Sequence, residues 1–507
     1  MDQQRTAPPP IDVARLNLLL VGLLLTGLAL YVVVQTMRGG TNALVTATVL
    51  IGGVIWMVAG RRIWWMPIPI AVSIGGLVWV GFRIYTHELA LMMTMVALLP
   101  ALAINRWAME QHRPALPWYV YALPAYLLAH LVASFIINRY LGGSSYGNIL
   151  RTYMGALWPL IFLIALYHYG DSRWVRITIT LVYVSLLVRV VIGLYSYYFP
   201  GYFLFRGFNA IFLLSEYGAT ELRDAPLRLL IMTLALTSAA KRPGATVLHL
   251  LVAILSVWLL LMGSGRVTVG MLGLVPIFWL LIQRKFGLLF LFLITASSIV
   301  VLLNLNPGIL DTLPRGQQRA LSILIFGDIL DIQARLEGSN YWHQELFRIG
   351  KERWLNSPIS FLFGNRVHPF DLMGSITRDF HFGLQVAANV ARYERSLWTV
   401  LATTGLVGGL LYVFSFIHLL RAPFRELIRH RIADPTHAVY FFALAHTALF
   451  FLFSPFHGSF PGTELMWGAL AFVLYQDKRA AEPNAAAVAH PEAPAARPVA
   501  RHALGWK

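Results

Sequence analysis

The chain has 507 residues, of which 58% are hydrophobic and only 12% are charged, and its mean hydropathy is +0.65. Soluble domains carry about 25% charged residues, so this composition excludes a water-soluble globular protein and predicts a membrane protein. The net charge of +17 does not call for a nucleic-acid partner, because Lys and Arg collect in the cytoplasmic loops of membrane proteins. The chain has no cysteine, which excludes disulfides, thiolate nucleophiles and cysteine metal sites.

Apolar runs of membrane-spanning length follow one another along almost the whole chain. About 20 apolar residues cross a bilayer core as a helix, so we predict an all-α polytopic membrane protein with about fourteen transmembrane helices, within a range of twelve to fourteen. We expect the first of them to be retained, because no small-residue cleavage site follows it. The predicted spans are 16–35, 43–59, 64–82, 88–104, 115–137, 152–169, 177–198, 225–240, 245–263, 267–282, 286–304, 396–419, 438–455 and 460–475.

Basic residues alternate between the loops that connect these spans. If the N-terminus lies in the cytoplasm, every second loop is basic, as the positive-inside rule requires. Both termini are then cytoplasmic, and the short loops on the other side carry little charge. The basic loops contain Arg61 and Arg62, Arg106 and Arg113, Arg173 and Arg176, Lys241 and Arg242, Arg284 and Lys285, and the group Arg421, Arg425, Arg429 and Arg431.

One long polar segment, 305–395, separates the eleventh and twelfth predicted spans and is here called the polar loop. An apolar stripe over 319–336 predicts an amphipathic helix at the membrane surface, and a second amphipathic helix is expected over 341–356, ending at a Ser-Pro step. The chain thus divides into transmembrane helices 1–11 (residues 1–304), the polar loop on the outer side, transmembrane helices 12–14 (396–476) and a disordered cytoplasmic tail (477–507).

Arginines near the outer ends of helices are the first candidates for chemistry. Arg266 ends the tight turn 262–266 (MGSGR), and Arg223 and Arg228 lie where the eighth span begins. Such guanidinium groups are suited to bidentate phosphate binding. Arg189 lies inside the seventh span, where a charge is costly and by default functional. The alternatives are a snorkelling role for Arg266, local pairs with Asp224 or Glu221 for Arg223 and Arg228, and a backbone carbonyl or polar side chain as the partner of Arg189.

Polar residues in the polar loop are the second group of candidates. Glu394, or a loop histidine such as His381, is placed to take a proton from an acceptor hydroxyl, while His343 and Arg395 are candidates for substrate contacts. For each of them a solvated surface position is the alternative. His368 belongs to the same exposed group. No HExxH, DxD or clustered carboxylate pattern is present, so we predict no catalytic metal and no cofactor.

These motifs and their order resemble the superfamily of O-antigen ligases and O-antigen polymerases, over roughly residues 200–420. Four segments carry the resemblance. They are the small-residue turn 263–266 (GSGR) between two helices, the Arg-Asp-Ala-Pro entry to a helix at 223–226, the polar loop with WLNSP at 354–358 and FGN at 363–365, and the post-loop helix with SLW at 396–398 and TGLVGG at 404–409.

The resemblance implies a metal-independent glycosyltransferase of the bacterial inner membrane, acting at the periplasmic face. Its donor would be a glycan on undecaprenyl diphosphate, held by Arg266 and Arg223 with Arg228 and Arg189 nearby. A base would activate the acceptor hydroxyl, giving inversion at the anomeric carbon. The implied partners are membrane lipid, a chain-length regulator and a flippase, without nucleic acid. Ligases of this family place a His-Asn pair just before the post-loop helix, where this chain has residues 394–396 (ERS).

That substitution favours a polymerase of O-antigen or exopolysaccharide repeat units over a ligase that transfers glycan to the lipid A core. A flippase for lipid-linked oligosaccharides is the alternative from another class of protein, since such transporters also have twelve to fourteen helices and cationic interiors. The polar loop discriminates between the two classes, because a flippase needs no long periplasmic segment. A non-catalytic assembly scaffold would leave Arg223 and Arg266 without a role.

Overall fold

The structure is a computed structural model, and most of the chain after residue 62 is described in it. The described residues are 63–74, 77–79, 83–94, 115–141, 146–169, 172–199, 224–262, 266–313, 315–326, 330–364, 396–453 and 462–489. The first two predicted spans, 16–35 and 43–59, lie outside these residues.

The first described part of the chain departs from the predicted span 64–82. It forms the helix α1 (Pro67–Ile74) and the strands β1 (Leu77–Trp79) and β2 (Arg83–Tyr85). The two strands pair antiparallel, and the chain is helical again over 86–94. The prediction of one continuous helix over 64–82 is therefore wrong. Hydropathy gave this stretch the length of a span, but two consecutive glycines, 75 and 76, follow Ile74, and glycine is among the poorest helix formers.

The spans predicted between 115 and 304 each coincide with a helix to within a few residues. Their apolar composition and the polar, Gly-containing or Pro-containing turns between them place the boundaries. The helices are α2 (Trp118–Leu141), α3 (Tyr146–Tyr169), α4 (Ser172–Tyr198), α5 (Asp224–Ala239), α6 (Pro243–Met262), α7 (Arg266–Ile282) and α8 (Phe286–Leu305).

The polar loop begins with short elements rather than the helix predicted over 319–336. It contains the 3₁₀ turn Pro307–Thr312, α9 (Arg315–Leu321), the 3₁₀ turn Ser322–Leu324, α10 (Leu330–Leu355) and α11 (Pro358–Phe363). The predicted helix is wrong because the backbone is extended at Ile325, so the apolar stripe is shared by separate elements. The predicted helix 341–356 is the second half of α10, and it ends before the Ser-Pro step as expected.

Three helices follow the polar loop, and two are longer than predicted. They are α12 (Ser396–His430), which is kinked, α13 (Pro435–Phe453) and α14 (Gly462–Ala489). The tail predicted to be disordered from residue 477 is helical as far as Ala489, in a stretch rich in alanine, the strongest helix former. The basic residues 421–431 lie on the last turns of α12 and just after them, beyond its apolar part.

Several of these helices are suited to a membrane. Within the described residues, five stretches are long and apolar enough to cross one: Trp118–Ile137, Arg173–Tyr195, Pro243–Met262, Phe286–Leu305 and Trp398–His430. Ala225–Ala239 and Val269–Ile282 are apolar but shorter. The described chain is thus helical apart from one hairpin, and it contains several helices able to span a membrane.

Burial divides the helices into central and peripheral ones. Residues 225–235 of α5 and 464–474 of α14 are buried throughout, whereas none of the residues of α8, all of which are described, is buried. Large apolar side chains such as Ile254, Phe290 and Leu302 are more than half exposed. A surface this apolar is unfavourable in water and matches the interior of a bilayer.

Candidate functional site

The two helices that begin at the predicted arginines start at the same level. Short connections on either side of α6 make it antiparallel to both α5 and α7, so α5 and α7 run in the same direction. Trp279 of α7 donates its indole N–H to Ser238 Oγ of α5 at 2.9 Å. Both residues lie about 20 Å along their helices, at ~1.5 Å per residue, so the helix starts at Asp224 and Arg266 are level with each other.

This arrangement places two helix N-termini at the same end of the bundle. Helix N-termini carry free N–H groups and partial positive charge, which together attract anions. Arg266 is the first residue of α7, and the structure describes its backbone only. Arg223 directly precedes Asp224, at the edge of the described chain. The end of α4 lies here too, since Tyr198 approaches Met262 Sδ at 3.8 Å.

The two other predicted arginines, Arg189 and Arg228, meet at the last turn of α1. Arg189 donates to the carbonyl oxygen of Ser73 at 3.3 Å, and Arg228 to that of Val72 at 3.5 Å. The last carbonyls of a helix have no intrahelical partner and form the negative end of its dipole. The structure therefore gives Arg189 the backbone-carbonyl partner that was the alternative to a substrate role, and Arg228 shares the same helix end.

Two further buried polar side chains lie in the core, and one of them is near Arg228. His446 of α13 is fully buried and within the electrostatic range of Arg228. Glu464 near the start of α14 is buried, and its charge acts on the buried Tyr412 of α12. No other Asp or Glu is buried among the residues whose side chains the structure describes. Sequence analysis missed Glu464, although an acidic residue within the predicted span 460–475 was itself a signal of function.

The start of the polar loop folds over the ends of α6 and α7. Asn304, at the end of α8, donates to the carbonyl oxygen of Leu324 at 2.8 Å and accepts from the backbone N–H of Phe326 at 2.8 Å. These two hydrogen bonds, here called the Asn304 clamp, hold the polar loop against the bundle. α9 in turn packs on α6 and α7, so the loop covers the level at which Arg266 begins its helix.

The helix α10 in the middle of the polar loop packs against the first turns of α12. Phe347 and Trp354 of α10 both contact Trp398 edge to face, with ring centroids 4.8 and 5.7 Å away. Ile349 of α10 packs in the same cluster as Ala402. Ser396, the first residue of α12, therefore lies beside α10, and the predicted residues 394 and 395 come directly before it in the chain.

Two glycines join the polar loop to α12 through their backbones. Gly364 (φ 83°) and Gly405 (φ 67°) both adopt conformations that favour glycine,. A Cβ on Gly405 would lie 2.3 Å from the carbonyl oxygen of Leu362, and one on Gly364 would lie 2.2 Å from that of Thr403. Residues 362–364 of the polar loop and 403–405 of α12, distant in the sequence, thus form a single close contact.

Tyr126 of α2 also takes part in this contact, which is here called the joint between the polar loop and α12. Its hydroxyl donates to the carbonyl oxygen of Thr404 at 2.7 Å and lies 3.4 Å from that of Phe363. Gly405 interrupts the helical geometry of α12, and an interrupted helix leaves carbonyl groups that need other donors. Tyr126 was not among the predicted residues, and a tyrosine within an apolar span gave no sign of this contact.

The predicted substrate contact His343 lies in α10, where the structure describes its backbone only. On the same helix, Arg348 donates to Glu345 Oε2 at 2.9 Å and to Glu352 Oε1 at 2.6 Å. The hydrogen bonds to these carboxylates, first to Glu345, raise the pKa of Arg348 above its ordinary value. Since two carboxylates already balance this exposed cation, it is poorly suited to binding an anionic substrate.

The remaining predicted residues, Arg223, Arg395, Glu394 and His381, lie outside the described residues, as do the side chains of Arg266 and His343. Among the described residues, no three His, Asp or Glu side chains come together as a metal site. The structure thus places the backbone positions of Arg266 and Asp224 at the same level, and it separately brings together the side chains of Arg189 and Arg228. Comparison with models of protein families, with curated proteins and with solved structures found no match.

Proposed function

We propose that the chain is a glycosyltransferase that polymerises undecaprenyl-diphosphate-linked repeat units of O-antigen or exopolysaccharide. The observation that carries this proposal is the shared level of the helix starts at Asp224 and Arg266 beneath the start of the polar loop. Two helix N-termini, each with an arginine at or next to its first residue, favour the binding of a diphosphate.

The proposed reaction needs no metal or nucleotide sugar. Arg266 and Arg223 hold the diphosphate of the donor and stabilise the negative charge that grows as the bond from the anomeric carbon to the phosphate oxygen breaks. Glu394 or His381 takes the proton of the acceptor hydroxyl, whose oxygen forms the new glycosidic bond from the opposite face. The lipid diphosphate leaves with the bonding electron pair, and the anomeric centre is inverted.

The other predicted residues have supporting roles in this proposal. Arg189 and Arg228 donate hydrogen bonds to carbonyl oxygens of α1. They therefore contribute positive electrostatic potential beneath the diphosphate and do not contact it directly. His343 and Arg395 belong to the acceptor side, on α10 and next to the start of α12. The packing of Trp354 against Trp398 supports this assignment, because it holds these two elements together.

The proposed topology follows the distribution of Lys and Arg. It has fourteen transmembrane helices, both termini in the cytoplasm and the polar loop in the periplasm of a bacterial inner membrane. A flippase that delivers the lipid-linked units and a chain-length regulator are the proposed protein partners. The loop contacts described above favour an enzyme over a flippase, because α9 packs on α6 and α7 and Asn304 holds the start of the polar loop to the end of α8.

Substitution of the arginines tests the proposal. Arg266→Ala and Arg223→Ala should each abolish glycan transfer while the protein still inserts into the membrane, and Arg266→Lys should restore little of it, because an ammonium group makes no bidentate contact with phosphate. Arg348→Ala is the matched control, since this exposed arginine is paired with Glu345 and Glu352 and should leave transfer unchanged. Normal glycan levels in Arg266→Ala would refute the assigned role.

The length and carrier of the glycan separate the polymerase from its alternatives. In a strain without the protein, a lost polymerase leaves single repeat units on their normal carrier or acceptor. A lost ligase instead leaves long chains on the undecaprenyl lipid, and a lost flippase leaves single units in the cytoplasmic leaflet. An electrophoretic ladder together with a lipid extract distinguishes the three outcomes.

A further inference from the structure

We propose that α11 (Pro358–Phe363), although it belongs to the polar loop, is a re-entrant segment whose exposed face lies among the acyl chains of membrane phospholipids. Its sequence, PISFLF, contains no charged residue. Ile359, Leu362 and Phe363 are 48%, 40% and 42% exposed. On the surface of a water-facing loop these side chains would form an unfavourable apolar patch.

The depth of α11 follows from its bond to Tyr126. This residue lies within the membrane-spanning stretch Trp118–Ile137, about 12 Å from one end and about 16 Å from the other at ~1.5 Å per residue. The hydrocarbon core of a bilayer is about 30 Å thick. A hydroxyl at this position contacts the carbonyl oxygen of Phe363, so the end of α11 lies well within the core.

A second series of contacts also places α11 below the membrane interface. α12 runs antiparallel to α2, because Tyr119 contacts His418 with ring centroids 6.0 Å apart whereas Tyr126 contacts Thr404. Trp398, an aromatic residue of the kind that marks membrane interfaces, precedes Gly405 by about 10 Å of helix at ~1.5 Å per residue. Gly405 touches the carbonyl of Leu362, which places the end of α11 below the interface on the loop side.

Backbone groups at both ends of α11 form hydrogen bonds within the protein, as a nonaqueous environment requires. Backbone groups in the bilayer core must find their hydrogen bonds within the protein. Ser357 caps the N-terminus by accepting from the N–H of Ser360 at 3.1 Å, and Gly364 N–H donates to the carbonyl of Ser360 at 2.8 Å. The carbonyl of Phe361 accepts from the indole of Trp354 at 3.0 Å. These bonds cover groups that a water-exposed turn would leave to solvent.

This inference does not depend on the proposed reaction, and the absence of cysteine in the chain makes it directly testable. Single-cysteine variants Ile359→Cys and Leu362→Cys are compared in membrane fragments open on both sides, so that orientation does not matter. Glu352→Cys, exposed on α10, is the water-facing control, and Phe290→Cys, exposed on α8, is the lipid-facing control. The probe is a charged, membrane-impermeant maleimide.

Thiols in lipid do not ionise and react slowly with such a reagent. We expect Ile359→Cys and Leu362→Cys to react at least tenfold more slowly than Glu352→Cys and at about the rate of Phe290→Cys, and all four to react equally after denaturation. Spin labels at 359 and 362 should be accessible to oxygen but not to a water-soluble nickel complex. Labelling as fast as at Glu352→Cys, or shielding from both oxygen and nickel, would overturn the proposal.

Discussion

An arginine inside a membrane needs a partner for its charge, and Arg189 and Arg228 find theirs at the end of a helix. The last carbonyls of α1 accept from both guanidinium groups, which offsets part of the cost of burying the charge. The sequence placed Arg189 inside a span and allowed a carbonyl partner for it. It did not show that the same short helix would also bind Arg228, because that helix was expected to be a full span.

Removal of the Tyr126 hydroxyl should weaken the joint between the polar loop and α12. Tyr126→Phe leaves the Thr404 carbonyl without this donor in a largely buried place, so we expect a loss of about 1–2 kcal/mol in the free energy of unfolding. Tyr121→Phe, at an earlier position on α2, removes a more exposed hydroxyl that contacts His168 and should cost less. Thermal unfolding of both variants in detergent measures the difference, and equal melting temperatures would contradict it.

A side chain at Gly405 should disrupt the same joint. Ala at this position would be strained by its positive φ and would meet the carbonyl of Leu362, so Gly405→Ala should lower the free energy of unfolding by at least about 2 kcal/mol. Gly270→Ala in α7 is the matched control, since a Cβ there has open space and alanine favours a helix. A Gly405→Ala protein as stable as Gly270→Ala would show that the two backbones do not cross this closely.

At the scale of elements, hydropathy located the helices between 115 and 304 but not the breaks within helical stretches. Periodicity and length report local preference, and α2 to α8 follow from them. The interruption of α12 at Gly405 depends on Gly364, in a distant part of the sequence, and no local pattern contains that contact. The apolar stripe over 319–336 is present in the sequence, but it does not form one helix. Asn304 binds the backbone at Leu324 and Phe326, so the stripe is divided among separate elements.

The clamp formed by Asn304 is testable at this scale. Asn304→Ala removes the donor to Leu324 and the acceptor for Phe326, so we expect the amides of residues 315–326 to exchange hydrogen at least about tenfold faster, which corresponds to about 1.4 kcal/mol in local opening. Asn306→Ala is the control, because the side chain of Asn306 makes no capping bond. Hydrogen exchange followed by mass spectrometry compares the two variants, and unchanged protection in Asn304→Ala would contradict the clamp.

For the whole molecule, the sequence predicted a helical membrane protein and a group of arginines at one end of it. The structure adds that the helices starting at Asp224 and Arg266 are level, a relation set by the contact between Trp279 and Ser238. It also adds buried polar side chains in the core, His446 near Arg228 and Glu464 near Tyr412. Neither relation was predictable, because both depend on which helices become neighbours, and apolar helices of similar length carry little information about their packing partners.

The membrane orientation of the molecule remains a prediction from its charged loops, and two reporter fusions test it. A reporter active only in the periplasm should be active when fused after Asn356, at the end of α10, and inactive when fused after Ala489, at the end of α14, because the basic residues of α12 favour the cytoplasm. A reporter that fluoresces only in the cytoplasm should give the opposite pattern and controls for expression. Equal activity of the periplasmic reporter at both positions would contradict the topology and remove the periplasmic loop on which the proposed reaction depends.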